Sequence, residues 1–219
     1  MKQALILIDL QNDFCQGGAL AVPDGDAVIP VANEAMTVSR RRGIPVVASI
    51  DWHPADHRSF AINSGGEIGE LGELEGLPQV WWPVHCVQHS PGAQLHPALN
   101  AAGIDQRVYK GCQTDIDSYS AFYDNGHRGR TVLHAWLKER NISALLIMGL
   151  ATDYCVKFTV LDALSLGYTV MVLTDGCRGV DLTPGDSGAA LEAMRMAGAR
   201  LATLVDFVRE PGLWDCAPG

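Results

Sequence analysis

Residues 144–164 read ALLIMGLATDYCVKFTVLDAL: an apolar run, a glycine, a short polar step and then a helical pattern. Ala144–Met148 has the nearly continuous apolar character of a parallel strand covered on both faces. From Asp153 to Leu166 apolar residues fall on most of a helix circumference, so a deeply covered helix is predicted there. Thr152 or Asp153 is suited to cap it. The same alternation fills the rest of the chain. Strands are predicted at Ala4–Ile8, Pro45–Ile50, Arg107–Tyr109, Tyr168–Leu173 and Arg200–Leu204, and helices near Ala27–Arg42, His127–Arg140 and Pro184–Ala197. Gly43, Gly167 and Gly198 each stand between a helix and a strand, where a helix-ending glycine belongs. Strand, helix, strand in repetition means an α/β fold of three layers, with a six-stranded parallel sheet between helices.

The 219 residues are read as one domain, 1–219. Its irregular part is 51–102, a loop rich in glycine, proline and tryptophan. A loop that long is usually functional, and Trp81, Trp82 and their neighbouring prolines make an ordered excursion the expectation. The net charge of −9 argues against a nucleic-acid partner. Arg40-Arg41-Arg42 reads as the solvated end of a helix. No segment approaches the roughly 18 apolar residues that cross a bilayer, and the opening MKQALILIDL reads as a first strand and not a signal peptide. Six scattered cysteines form no disulfide framework. A cytoplasmic location is expected; monomer and homo-oligomer both stay open.

Ligands of an open parallel sheet bind beyond the carboxyl ends of its strands. Four reactive groups stand at successive exits: Asp9, Asp51, Lys110 and Cys155. Cys155 falls in the first turn of its helix, where dipole and free amides lower a thiol pKa and can hold an oxyanion, with Ala151 and Cys155 as the expected donors. The bland alternative is a small buried hydrophobe, and Cys177 in TDGCRG is the rival nucleophile. Asp9 abuts the apolar run LILI, and partial burial raises a carboxyl towards a useful general base. Lys110 would balance its charge.

A second constellation joins DWHPADHRSF (Asp51–Phe60) to WWPVHC (Trp81–Cys86). Asp51 and His53, two residues apart in extended chain, can face the same way, and His85 returns from the long loop. One carboxylate and two imidazoles suit a single divalent metal ion: zinc first, with iron or manganese also accepting the set. His57 and Ser59 are candidates for the surrounding shell. Phe14, Trp82 and Tyr119 are candidates to wall an aromatic pocket.

These residues carry a resemblance. LIDLQNDFCQGGALAVPDGD (Leu7–Asp26), DWHPADHRSF, WPVHCVQ (Trp82–Gln88), VYKG (Val108–Gly111), DSYSAFYDN (Asp117–Asn125) and MGLATDYCVKFTVLDAL (Met148–Leu164) stand in the order found in bacterial nicotinamidases. The chain resembles these members of the isochorismatase-like cysteine hydrolase superfamily over almost its whole length. The resemblance implies a catalytic triad of Asp9, Lys110 and Cys155, and metal ligands Asp51, His53 and His85. It also implies an aromatic clamp of Phe14, Trp82 and Tyr119, oxyanion-hole amides at Ala151 and Cys155, and a cis peptide between Leu150 and Ala151. The expected activity is hydrolysis of nicotinamide to nicotinate and ammonia through a thioester on Cys155, feeding NAD salvage, with pyrazinamide as a further substrate. The alternatives are a related cysteine amidohydrolase acting on a carbamoyl or ureido group, and a binding protein that holds a pyridine ligand unchanged.

Overall fold

A computed structural model describes residues 1–209. Six strands form one parallel sheet: β1 (Gln3–Ile8), β2 (Val46–Asp51), β5 (Gln106–Lys110), β6 (Ala144–Leu150), β7 (Thr169–Arg178) and β8 (Arg200–Ala202), in the order β5-β2-β1-β6-β7-β8. The central strands carry the most apolar sequences and are the most buried. Leu5 to Ile8 and Leu145 to Met148 are sealed from solvent, and Leu5 pairs with Leu146 in the β1–β6 ladder. Helices α1 (Val28–Arg41) and α6 (Leu204–Arg209) pack against each other on the sheet, as do α4 (Lys157–Ser165) and α5 (Asp186–Met196). Two helical layers enclose one sheet. Gly43, Gly167 and Gly198 take φ of 68°, 83° and 110°, the left-handed geometry that ends a helix.

Four predicted details change. The helix expected from His127 is α3, Leu133–Glu139; Thr131 sets its start by accepting the Leu133 amide, while His127 sits in a turn with φ of 53°. The strand expected through Leu204 stops at Ala202, because Thr203 and Asp206 bond to each other and open α6. The excursion holds a one-turn helix α2 (Ala61–Ser64) and a hairpin, β3 (Leu71–Leu74) with β4 (Leu77–Val80). Glu75 and Gly76 turn that hairpin with φ of 51° and 80°, the twist-matched geometry of a two-residue loop. The helix after Cys155 is only partly covered, with Phe158 and Ser165 on its exposed side. No described helix is long and apolar enough to cross a membrane. The terminal REPGLWDCAPG, which from its sequence reads as frayed or loosely docked, lies outside the described residues except for Arg209.

In the sheet order, the chain runs outward from β1 through β2 in one direction and from β6 through β7 and β8 in the other. The crevice opens where those directions part, beyond the carboxyl ends of β1 and β6.

Candidate active site

Lys110 is the hub of that crevice. Its Nζ lies 2.9 Å from Asp9 Oδ2, 2.9 Å from Asp51 Oδ1, 2.9 Å from the Ser118 carbonyl and 3.4 Å from Cys155 Sγ. The ammonium is fully buried. Burial works against its charge, but Asp51 and Asp9 outweigh that and hold its pKa well above the ordinary lysine value. Asp9 leaves β1 with φ of 49°, and Ser49 on β2 donates to its Oδ1 at 2.6 Å. Burial raises the Asp9 pKa against the pull of Lys110.

Cys155 lies in a single wide turn, Thr152–Val156, between β6 and α4. The Leu150–Ala151 peptide is cis. Neither Thr152 nor Asp153 caps the turn; Ala151 stands at the cap, and the Asp153 carboxylate instead accepts the amides of Val180 and Asp181. The expected lowering of the thiol pKa is also reversed. Burial pushes the Cys155 thiol well above its ordinary value, and Lys110 offsets only part of the effect. Burial costs a thiolate more than one helical turn returns. Burial thus favours the neutral thiol over the thiolate, next to Asp9, a carboxyl whose own pKa is raised.

Asp51, His53 and His85 are buried, and their ligand atoms lie within 4.8 Å of one another. His53 Nδ1 donates to the Gly111 carbonyl at 2.9 Å and His85 Nδ1 to the Pro83 carbonyl at 2.8 Å. A carbonyl only accepts, so each Nδ1 carries the proton and each Nε2 of the neutral ring presents a lone pair. Those lone pairs face Asp51 Oδ2 at 2.9 and 3.3 Å. Three acceptors turned on one another require a cation between them or extra protons, and backbone-held Nδ1 atoms are the usual support of ligating histidines. The residues fit a metal ion. Gly111 is part of the fit: its φ is 66°, and a Cβ there would overlap the His53 ring.

Two neighbouring groups differ. His57 accepts at Nδ1 from Ser59, by hydroxyl and amide, and Nε2 faces the Ile116 carbonyl, so both nitrogens are spoken for. Burial and His53 push its pKa down to about 4, leaving a neutral ring beside the ligand set. Cys15, Asp26 and His96 also come within 4.8 Å. There the Ala98 amide donates to His96 Nδ1, which places the proton on Nε2, directed at Asp26. Nε2 lies 3.3 Å from Asp26 Oδ1, so this triplet already has a proton turned to its carboxylate.

The pocket between sulfur and ligand set is lined by Phe14, Trp82, Tyr119, Asp51, His85, Lys110, Ala151 and Cys155, all residues named from sequence. Asp9 and His53 stand behind this wall. Trp82 Nε1 donates to the Tyr119 hydroxyl at 3.1 Å, fixing the two rings edge to face. Sequence reading missed Leu20, Asp117, Ser118, Tyr154 and Val180, which complete the lining. Tyr154 adjoins Cys155 and packs on Trp82 and Tyr119; a regular helix in place of the wide turn would not have suggested it. Asp117 and Ser118 lie in the quoted DSYSAFYDN, so a signal for them was present.

The isochorismatase domain model matches residues 3–206. The nicotinamidase of Escherichia coli K12 is 57% identical over 96% of this chain and 99% of its own. A pyrazinamidase of Pyrococcus horikoshii in complex with zinc superposes with a TM-score of 0.77 at 36% identity, covering 93% of this chain and 99% of that one. The yeast nicotinamidase bound to the inhibitor nicotinaldehyde superposes at 0.85 with 30% identity, covering 92% and 99%. With a domain match spanning nearly every described residue and relatives of this identity along their whole length, the chain belongs to the nicotinamidases of the isochorismatase family.

Proposed function

We propose that this chain hydrolyses nicotinamide to nicotinate and ammonia, as a linear-amide amidohydrolase of the NAD salvage type, and that it also accepts pyrazinamide. The observation that carries the reading is the meeting of Asp9, Lys110 and the Cys155 sulfur beside Asp51, His53 and His85. In the proposed reaction Asp9 removes the thiol proton as sulfur attacks the carboxamide carbon. The proton moves between two partners of the same ammonium, so the cluster's net charge does not change. The amides of Ala151 and Cys155 receive the developing oxyanion, a contribution of about 3–4 kcal/mol for a donor in such a site. Asp9 returns the proton to the departing ammonia and then activates the water that releases nicotinate from the thioester. Phe14, Trp82 and Tyr119 hold the ring flat.

Asp51, His53 and His85 would hold the metal, zinc by preference; when bound, it supplies a Lewis acid at the ring end of the pocket. This ligand set disfavours the carbamoyl and ureido reading, and the intact nucleophile disfavours a passive binder. The test is ammonia release from nicotinamide by purified protein, with elemental analysis of the same sample. Turnover with about one equivalent of zinc, iron or manganese is expected. No ammonia, or no metal, would overturn the reading.

A further inference from the structure

We infer that Gln11 and Asp13 are positioning residues for the metal centre, setting from one loop the separation between the segments that carry its ligands. The Gln11 side chain is sealed from solvent and acts as a substitute strand at the end of β2. Its Oε1 accepts the Asp51 amide at 2.8 Å, while its Nε2 donates to the Asp51 carbonyl at 2.7 Å and the Ala93 carbonyl at 2.9 Å. Both backbone groups of one ligand residue are thus held by a single carboxamide. Two residues on, Asp13 Oδ2 accepts the amide of Cys86, the neighbour of His85, at 2.7 Å, and Oδ1 accepts the Ala19 amide at 3.2 Å. Cys86 needs this anchor, because it takes a φ of 46° in a segment without regular structure. The same segment holds the third ligand: the His53 amide donates to the Cys86 carbonyl at 3.0 Å.

Cys86, directly after His85, is fixed at both backbone groups, its amide by Asp13 and its carbonyl by His53, and Asp51 is fixed by Gln11. A metal site with ligands displaced by a fraction of an ångström loses affinity before the fold loses stability. Gln11 and Asp13 bond to the backbone of Asp51 and of Cys86, and act on the three ligand side chains through it.

The inference rests on the metal site under the proposed function, and the experiment separates the two. Zinc affinity is measured by chelator competition on the full chain, together with melting of the metal-free protein, for Gln11→Ala, Asp13→Ala and Asp105→Ala. Asp105 caps the far end of β2, accepting the Val46 amide at 2.7 Å, and serves as the control for losing a backbone anchor. Expected are zinc affinities roughly 10–100-fold weaker in Gln11→Ala and Asp13→Ala, with Asp105→Ala within about twofold of wild type even if it melts lower. Asp13→Asn keeps one acceptor and recovers part of the loss. Gln11 and Asp13 variants that bind zinc like wild type, or an Asp105 variant that weakens binding equally, would overturn the inference. A wild-type chain that binds no zinc would remove the site itself.

Discussion

Cys155 and Cys177 stand at the carboxyl ends of adjacent strands and are buried alike, 8% and 5% exposed. Cys177 lies within β7, paired in register with Gly149. Its thiol donates to the Leu173 carbonyl at 3.3 Å, the Gly149 amide leans on its sulfur, and burial pushes its pKa up to about 12. Cys155, just past β6, meets a buried ammonium and a buried carboxyl. Burial raises both thiols, so depth does not separate them. What separates them is whether the proton has a destination: from Cys155 it can pass to Asp9 beside Lys110, whereas the Cys177 thiol faces the Leu173 carbonyl, which accepts a hydrogen bond but takes no proton.

The largest expected effect tests that contrast directly. Cys155→Ala should lower ammonia release by about 10⁴-fold or more, with metal content unchanged, whereas Cys177→Ala should keep most of its turnover. The opposite pattern would invert the comparison. Next, Lys110→Gln should cut kcat/KM by about 10³-fold. It should also destabilise the protein by about 3–5 kcal/mol in urea unfolding, since it strands two buried carboxylates. Activity loss without destabilisation would mean the carboxylates do not depend on Lys110. Removing the metal with a chelator should impair hydrolysis mainly through KM while Cys155 is still alkylated by iodoacetamide and Cys177 is not. Loss of labelling along with activity would tie the sulfur to the ion.

The smallest effect concerns Cys177 and alkaline pH. Its pKa rises from 9.0 to about 12 on folding, so its contribution is whole below pH 9 and fades as pH climbs towards 12. Between pH 8 and 10.5 wild type should lose about 2 kcal/mol more stability than Cys177→Ala in paired urea titrations. Equal losses would show that the thiol is less enclosed than its partners indicate.

The strand exits were legible because parallel strands announce themselves by apolar runs and end abruptly at a charge. Asp9 and Asp51 each close such a run, Lys110 follows the short Val108-Tyr109 pair, and all three converge in space. The hairpin Leu71–Val80 was not legible. Its turn is Glu75-Gly76 and Pro78 sits inside a strand, so neither turn chemistry nor alternation marks it. The capping role assigned to Thr152 or Asp153 failed because Asp153 found better partners 27 and 28 positions away, at Val180 and Asp181. Which imidazole is ready for a metal also lies beyond sequence. His53, His85 and His96 are chemically the same residue, and only a carbonyl or an amide at Nδ1 tells them apart.

The β1–β6 seam joins two halves of the polypeptide that carry complementary parts of one apparatus. Everything up to Lys110 supplies acid, amine and ion-holding groups; everything after Ala144 supplies the sulfur. A protease nick in the turns at 124–131 would yield fragments that are each chemically mute. Recovery of ammonia production on mixing them would gauge how faithfully that one ladder re-forms.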